Sequence, residues 1–457
     1  MASASAVYRS EVRLLRKMTE GGITRHLISY AAPMILGNLL QLTYNAVDSI
    51  VVGKFAGENA LAAVSVANPV MSILILGVSG LSLGASVFMS RFFGADDTKN
   101  LKRELSTTML FGAACSLAVF LAGFLFSRPL LVLLRVPDGA LEMAVLYLRI
   151  IFFGFLFTFQ YNIIAAALRS VGDARTPVLY LGIASALNAA FDVLLIGVFH
   201  LGVAGAALAT VFAEGLSAVL CLIRVYRTQP GLRLGRRDLV IDRELLGQTL
   251  KSGSLTALQQ AGQPIGKLLI QSVVNAQGVA AIAAFNAVCR LDDFACIPAQ
   301  SIGHSIMTCT AQNLGAGRRE RVCESFRSGL VLGLCYYPVI CAAVLLLKEP
   351  FVRLLAPDRS EPIVRMGVAY LSVKAWFYLM PCVLNAIQGW YRGLDRMAVT
   401  LAATLLQISV RTALVYLWVP RYGITGEAWA CLIGWICQFV YEYGLYFRER
   451  NRIFRTA

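Results

Sequence analysis

The chain has 457 residues, 58% hydrophobic and only 15% charged, with 41 Lys and Arg against 26 Asp and Glu and a formal net charge of +15. Soluble domains run nearer roughly 45–50% apolar and 25% charged, so this balance excludes a water-soluble enzyme or a basic nucleic-acid-binding domain. The apolar excess falls in segments of about 20 residues or more, separated by short charged joints, and the expected fold is an all-α integral membrane protein.

The first segment, "MASASAVYRSEVRLLRKMTEGG", lacks the apolar core and cleavage site of a signal peptide and reads as a basic cytoplasmic arm over 1–26. Twelve transmembrane spans are expected, at 27–53, 60–90, 104–127, 140–168, 176–199, 202–226, 246–275, 280–312, 325–347, 362–390, 398–419 and 424–447. With the N-terminus inside, the inside segments carry 28 Lys and Arg, the outside loops 8, and five lie within spans (Arg149, Lys267, Arg290, Lys374 and Arg411). That bias places both termini in the cytoplasm of a cell-membrane protein and accounts for the net charge without nucleic acid.

The chain also repeats itself. A shift of 221 residues pairs "GENALAA" (57–63) with "GVAAIAA" (278–284), Gly94 with Gly315, Pro129 with Pro350, and "GVAG" (202–205) with "GITG" (423–426). Two lobes of six spans each follow, 27–226 and 246–447, related by a pseudo-two-fold axis along the membrane normal, with a basic cytoplasmic linker at 227–245 and a tail at 448–457.

Polar residues inside the first lobe stand out against this background. Asp48 lies in "YNAVDSIVVG" of span 1, where a carboxylate costs about 2.5–3.5 kcal/mol even on lenient scales. Span 4 carries Tyr147 and, after the aromatic run "FFGFLFTFQY", Asn162; span 5 carries Asn188 and Asp192, four apart on one face; span 6 carries Thr210 and then Glu214. Under the 221 shift Asp48 falls on Leu269, Asn188 on Ser409 and Asp192 on Ala413, so this polar set belongs to one lobe. Carboxylates, amide carbonyls and a hydroxyl suit a small hard cation or a proton, and two nearby carboxylates in low dielectric do not both stay ionised. The structural reading is that Asn188 and Thr210 hydrogen-bond between helices and Asp48 caps an unwound turn.

In the second lobe the secondary candidates are Gln259, Gln260 and Lys267 in span 7, Asp292 and Asp293 in span 8, and Arg411 in span 11. Asp292 and Asp293, with Arg290 and Lys267, read as an internal charge cluster rather than a second ion site. Arg411 reads as balancing charge between lobes, as one half of an ordinary ion pair, or as snorkelling to the interface. The aromatic run of span 4 reads as packing or lipid contact, with a minority of rings available to a ligand.

Six stretches resemble the multidrug and toxic compound extrusion (MATE) family: "APMILGNLLQLTYNAVDSIVVG", "RFFGADD", "ALRSVGDARTP", "GVAGAALAT", "AQNLGAGRRE" and "GWYRGLDR". The resemblance runs from Thr24 to Arg448 and implies efflux of amphipathic, often cationic compounds against an inward flow of Na⁺ or H⁺ by rocker-switch alternating access. It also implies a cation-coupling site at Asp48, Asn162, Asn188, Asp192 and Thr210 with Tyr147 nearby, where Asp48, Asn188 and Asp192 would hold Na⁺ if the coupling is to sodium. Another branch of the family couples through a glutamate in helix 7; here "LQQAGQPIGK" has no acid, which disfavours a coupling site in the second lobe.

The eleven cysteines form no C-x-x-C, the histidines His26, His200 and His304 are far apart, and no nucleotide-binding G-x-x-x-x-G-K-[ST] loop exists. No cofactor beyond the coupling ion is expected, and an embedded enzyme is the weakest alternative. The expected partners are small amphipathic molecules and membrane lipids, the expected state is a monomer, and a flippase for lipid-linked oligosaccharides is the competing function.

Overall fold

A computed structural model describes residues 17–55, 57–355 and 361–455, with the side chains of 43–55, 58, 59, 61 and 453–455 outside the description. Long apolar runs satisfy their backbone within hydrocarbon as helices, and the described residues form thirteen α-helices and no strand. In chain order these are α1 (Ile23–Phe55), α2 (Glu58–Gly94), α3 (Thr98–Leu133), α4 (Asp138–Ser170), α5 (Arg175–Asp192, running on as a π-helix over Val193–Val198), α6 (Gly202–Thr228) and α7 (Arg243–Asn275). They continue as α8 (Val279–Gly315), α9 (Arg319–Leu355), α10 (Glu361–Phe377), α11 (Leu379–Gly393), α12 (Met397–Tyr422) and α13 (Thr425–Arg455). Helices α10 and α11 meet at a 45° bend and count as one crossing, so thirteen helices give the twelve expected spans. By length and apolarity alone, seven of the described helices qualify as spans; α7, α8 and α13 fall short because they carry Gln, Lys, Asp and Glu in their interiors.

The duplication is visible in the backbone. Left-handed residues recur at Gly57 and Gly278, Asp96 and Gly317, and Gly202 and Gly423, each pair 221 apart. The turn after α2 closes with Asp97 N–H to Phe92 O at 2.9 Å, and the turn after α8 with Arg318 N–H to Asn313 O at 2.9 Å, the same six-residue helix-ending motif. One stretch departs from this register. Gly172, two residues past α4, matches Asp395, two residues past α11, a separation of 223. The register returns to 221 by Gly202, so the intervening helix has two more residues in the first copy, and the π-helix after Asp192 is where that surplus is wound in.

The contacts divide the chain into two units. The first comprises Lys17 and residues 33–257; the second comprises 18–32 and 258–455. Helix α1 passes from the second unit to the first at Pro33, and α7 passes from the first to the second after Ala257. In the second unit Met18 N–H donates to Gln312 Oε1 at 3.0 Å, Arg321 Nη2 to Met18 O at 3.1 Å, and Tyr30 shares a 2.9 Å hydroxyl bond with Thr308. In the first unit the linker is held by α3: Val240 N–H donates to Ser106 Oγ and Asp242 N–H to Thr107 Oγ1, both at 2.9 Å. The Gly235 N–H, and then Lys102, hold the linker carboxyl of Asp238 below its usual range.

Helix α4 is central to the first unit. Of its aromatic run, Phe152, Phe155 and Phe159 are buried, with Phe152 and Phe159 seated against Gly123 and Gly112 of α3, while Phe153 stays 57% exposed. Most of the run is therefore packing, as expected. In the second unit α8 and α11 touch backbone to backbone: a Cβ on Gly303 would sit 2.7 Å from Asn385 O, and one on Gly389 would overlap Gly303 O. Small residues permit such approaches between membrane helices. Gly389→Ala is expected to cost about 1–3 kcal/mol, read as a lower thermal midpoint of the purified protein. Gly444→Ala, where nothing lies within 4 Å, should leave it unchanged; equal midpoints for both variants would refute the close contact.

Candidate functional site

Three helices of the first unit bring most of the sequence-proposed residues inward. On α5, Asn188 and Asp192 are both 0% exposed, as their four-residue spacing on one face predicts. Asn188 has no hydrogen-bond partner for either amide atom among the described residues. Asp192 is the last α-helical residue before the π-helix, a kind of segment often found at functional sites. Helix α4 contributes buried Tyr147 and half-buried Asn162, whose Nδ2 donates to Thr158 O at 2.8 Å. Helix α6 contributes Thr210, whose hydroxyl donates to Ala206 O at 3.0 Å, and Glu214, whose carboxylate accepts from the Thr158 hydroxyl. Thr158 therefore joins Asn162 and Glu214 across α4 and α6, a link the sequence reading did not single out. The ring of Phe191 meets that of Phe212, centroids 4.6 Å apart, and ties α5 to α6 beside these residues. Asp48 falls in the helical backbone of α1, but its side chain lies outside the described residues.

The chemistry of these residues is that of hard oxygen donors, with Asn188 and Asp192 buried and Asn162, Thr210 and Glu214 half-buried. A buried amide without a partner loses roughly 1–3 kcal/mol, which a cation coordinated by its carbonyl oxygen would offset. The donor set of carboxylate, amide carbonyl and hydroxyl oxygens fits Na⁺ and holds a proton equally well.

The local register of 223 corrects two of the repeat partners assigned from sequence. Asn188 corresponds to Arg411, not Ser409, and Asp192 to Val415, not Ala413. The physical cause is the pair of extra residues in the first copy. Where the first unit has Asn188, the second therefore has a guanidinium, and the structure closes it: Arg411 Nε donates to Glu427 Oε1 at 2.8 Å. Glu427 is 0% exposed and also accepts from the Tyr370 hydroxyl. Lys374, 2% exposed, lies 3.0 Å from Asp292 and 3.9 Å from Glu427, and Asp292 accepts from Tyr378. Two cations and two anions thus neutralise one another between α8, α10, α12 and α13. Arg411 is one half of an ordinary ion pair within its own unit, and the charge cluster expected of Asp292, Asp293, Arg290 and Lys267 is divided: Asp292 turns to Lys374, which reaches it from another helix, and only Asp293 faces Lys267. Asp293 is exposed, with Lys267 3.9 Å away.

Gln259 is buried in a second network. It donates to Thr404 at 2.9 Å and to Gln388 at 3.2 Å, and Gln388 donates to Glu442 at 3.1 Å. The neighbouring Gln260 is half-buried. Sequence reasoning missed Glu427, Glu442 and the partner role of Lys374. The available signal was charge balance: Lys374 and Arg411, deep in spans, require acids, and the last span supplies Glu427. Among the described residues no group of three or more His, Cys, Asp and Glu forms a metal cluster, and all eleven cysteines are free.

Comparison with known proteins follows the same outline. The MatE family model matches the chain twice, over 33–194 and 256–417, one match in each copy of the repeat. The probable multidrug resistance protein YpnP of Bacillus subtilis is 30% identical over 415 residues, spanning 90% of each chain. The multidrug export protein MepA of Staphylococcus aureus is 24% identical, again over 90% of each chain. Among solved structures, a multidrug resistance MATE family transporter in an outward-facing conformation aligns with a TM-score of 0.86 at 21% identity, covering 97% of both chains. A MATE in a bent conformation aligns at 0.88 with 21% identity over 98% of both.

Proposed function

The chain belongs to the MatE family, the multidrug and toxic compound extrusion transporters, and from that premise we propose that it exports amphipathic compounds from the cell against an inward flow of Na⁺ or H⁺. The printed names of its relatives, multidrug resistance and multidrug export proteins, support the cargo class. The duplicated six-crossing units support alternating access, in which two similar bodies rock about the transported molecule. The coupling site we assign to Asp48, Asn162, Asn188, Asp192, Thr210 and Tyr147.

One observation carries this assignment. Asn188 and Asp192 are wholly buried on one face of a membrane helix, while the repeat positions hold Arg411, sealed by Glu427, and Val415. A polar pair needed only to build the scaffold would serve both copies. An ionisable group buried inside a membrane protein is by default a candidate functional site.

The test is transport in vesicles of purified protein loaded with a fluorescent cation. Efflux should be driven by an imposed Na⁺ gradient or by an imposed pH gradient, and whichever drives it identifies the coupling ion. Efflux driven by neither would end the antiport reading. Tags at both termini should be reachable only from the cytoplasmic face.

A further inference from the structure

The two copies of the repeat treat one strip of helix surface differently. In the first unit α6 ends at Thr228 and the linker turns back over α3. Leu232 is buried there, and the Val240 peptide bonds to Ser106 and Thr107, both buried under it. In the second unit α13 makes no such turn: Thr228 corresponds to Glu449, and α13 runs on as helix to Arg455. The strip of α9 that matches the linker's seat is therefore left to Arg327 and Ser328, the repeat partners of Ser106 and Thr107, and Arg327 is exposed. Where the first copy offers a hydroxyl to a peptide group, the second offers a guanidinium, which suits an anion.

A second guanidinium comes to the same place. Arg450 of α13 donates to the Cys323 sulfur of α9, Arg327 acts on that sulfur too, and both act on the Tyr446 hydroxyl. The two helices are neighbours here, with the rings of Phe326 and Tyr446 5.1 Å apart. Neither arginine forms an ion pair with a described residue, and Glu449, next to Arg450 in the chain, is taken by Arg396 at 3.1 Å. Two like charges thus share one place, which an anion would relieve.

Both arginines sit at the level of lipid phosphates. Helix α9 has 37 residues and α13 has 31, about 55 Å and 46 Å against a hydrocarbon core of about 30 Å. Centred in that core, they overhang it by about 13 Å and 8 Å at each end. Arg327 lies about 12 Å from the start of α9 and Arg450 about 8 Å from the end of α13, so both fall at the boundary. On the membrane side each helix continues from its arginine as an exposed apolar stripe, Val331 and Leu334 on α9, and Phe447, Tyr443 and Val440 on α13.

We propose that the second unit holds an anionic phospholipid, its phosphate between Arg327 and Arg450 and its acyl chains along these stripes. Basic pockets between membrane helices on the cytoplasmic side bind such headgroups, and the charge bias of the chain puts this end of α9 and α13 on that side. The site involves neither cargo nor coupling ion, so it stands or falls apart from the exporter reading.

The experiment titrates phosphatidylglycerol and phosphatidylcholine of identical acyl chains, separately, into the full chain in a non-ionic detergent, with bound lipid counted by native mass spectrometry. One phosphatidylglycerol is expected to bind about 30-fold more tightly than phosphatidylcholine. Arg327→Gln and Arg450→Gln should each cut that ratio about fivefold, Arg327→Lys should keep most of it, and Arg236→Gln in the linker should leave it unchanged. Inorganic phosphate in about hundredfold excess should not displace the lipid, because it has no chains for the stripes. Equal affinities for the two lipids in the wild type overturn the proposal, whether or not any variant folds. A ratio unchanged in both Gln variants places the anionic lipid elsewhere and overturns it too. Displacement by phosphate makes this a site for a free anion and overturns the lipid as its occupant.

Discussion

Replacing Asp48 by Asn is expected to abolish coupled efflux, by about 100-fold or more, a loss of at least about 2.7 kcal/mol in the driven step. The protein should remain inserted and folded. Asparagine keeps the shape and the hydrogen-bonding capacity of aspartate but removes the charge, so the site behaves as though permanently protonated. An exchanger whose site cannot change its charge has no means of linking cargo to ion flow. Asp192→Asn should do the same, since Asp192 is wholly buried on α5 beside Asn188. Leu269→Ala, at the repeat position of Asp48 on α7, should leave coupling intact whatever it does to stability. The measurement is vesicle efflux under separate Na⁺ and pH gradients, with insertion checked by yield and monodispersity. Wild-type efflux by Asp48→Asn under both gradients would remove the coupling site from the first unit.

The second large effect concerns stability. Lys374→Met deletes one cation of the quartet and leaves Asp292, among the described residues, with the Tyr378 hydroxyl, in a place where Lys374 had stood 3.0 Å away. Breaking a buried pair from one side costs about 3–5 kcal/mol because a charge is left uncompensated, whereas replacing both partners is often close to neutral. The double variant Lys374→Met with Asp292→Asn should therefore recover most of the thermal midpoint lost in the single variant. If the double variant is as unstable as the sum of the two single ones, the pair is not coupled and the quartet is not the unit that holds α8, α10, α12 and α13 together. Neither effect is expected from Asp293→Asn, whose side chain is exposed and only loosely paired with Lys267.

Much of this molecule is written in composition and periodicity. Long apolar runs in a medium without hydrogen-bonding partners form helices whatever their neighbours, so the twelve crossings are legible one segment at a time. The duplication is legible because Gly57, Gly278, Gly202 and Gly423 adopt left-handed backbone conformations that most other residues resist, which keeps the turns aligned between copies. The spacing of Asn188 and Asp192 is local too, since four residues on a helix share a face and both residues are buried together.

What the sequence left open depended on contacts between segments far apart in the chain. Residues 18–32 join the second unit through Gln312, Arg321 and Thr308, nearly 300 positions away, and no local pattern announces such partners. The register shift at the π-helix changed Arg411 from a neighbour of Asp192's counterpart into the counterpart of Asn188. Whether Arg411 balanced charge between lobes or paired within its own was decided by Glu427, and the acid that Lys374 needs is Asp292, each reaching its partner from another helix. Chain composition determines which segments enter the membrane, because the transfer of each segment is nearly independent of the others. The pairing of charges inside it belongs to the tertiary structure alone, because in low dielectric the energy of a charge is set by its nearest opposite charge, wherever in the sequence that lies.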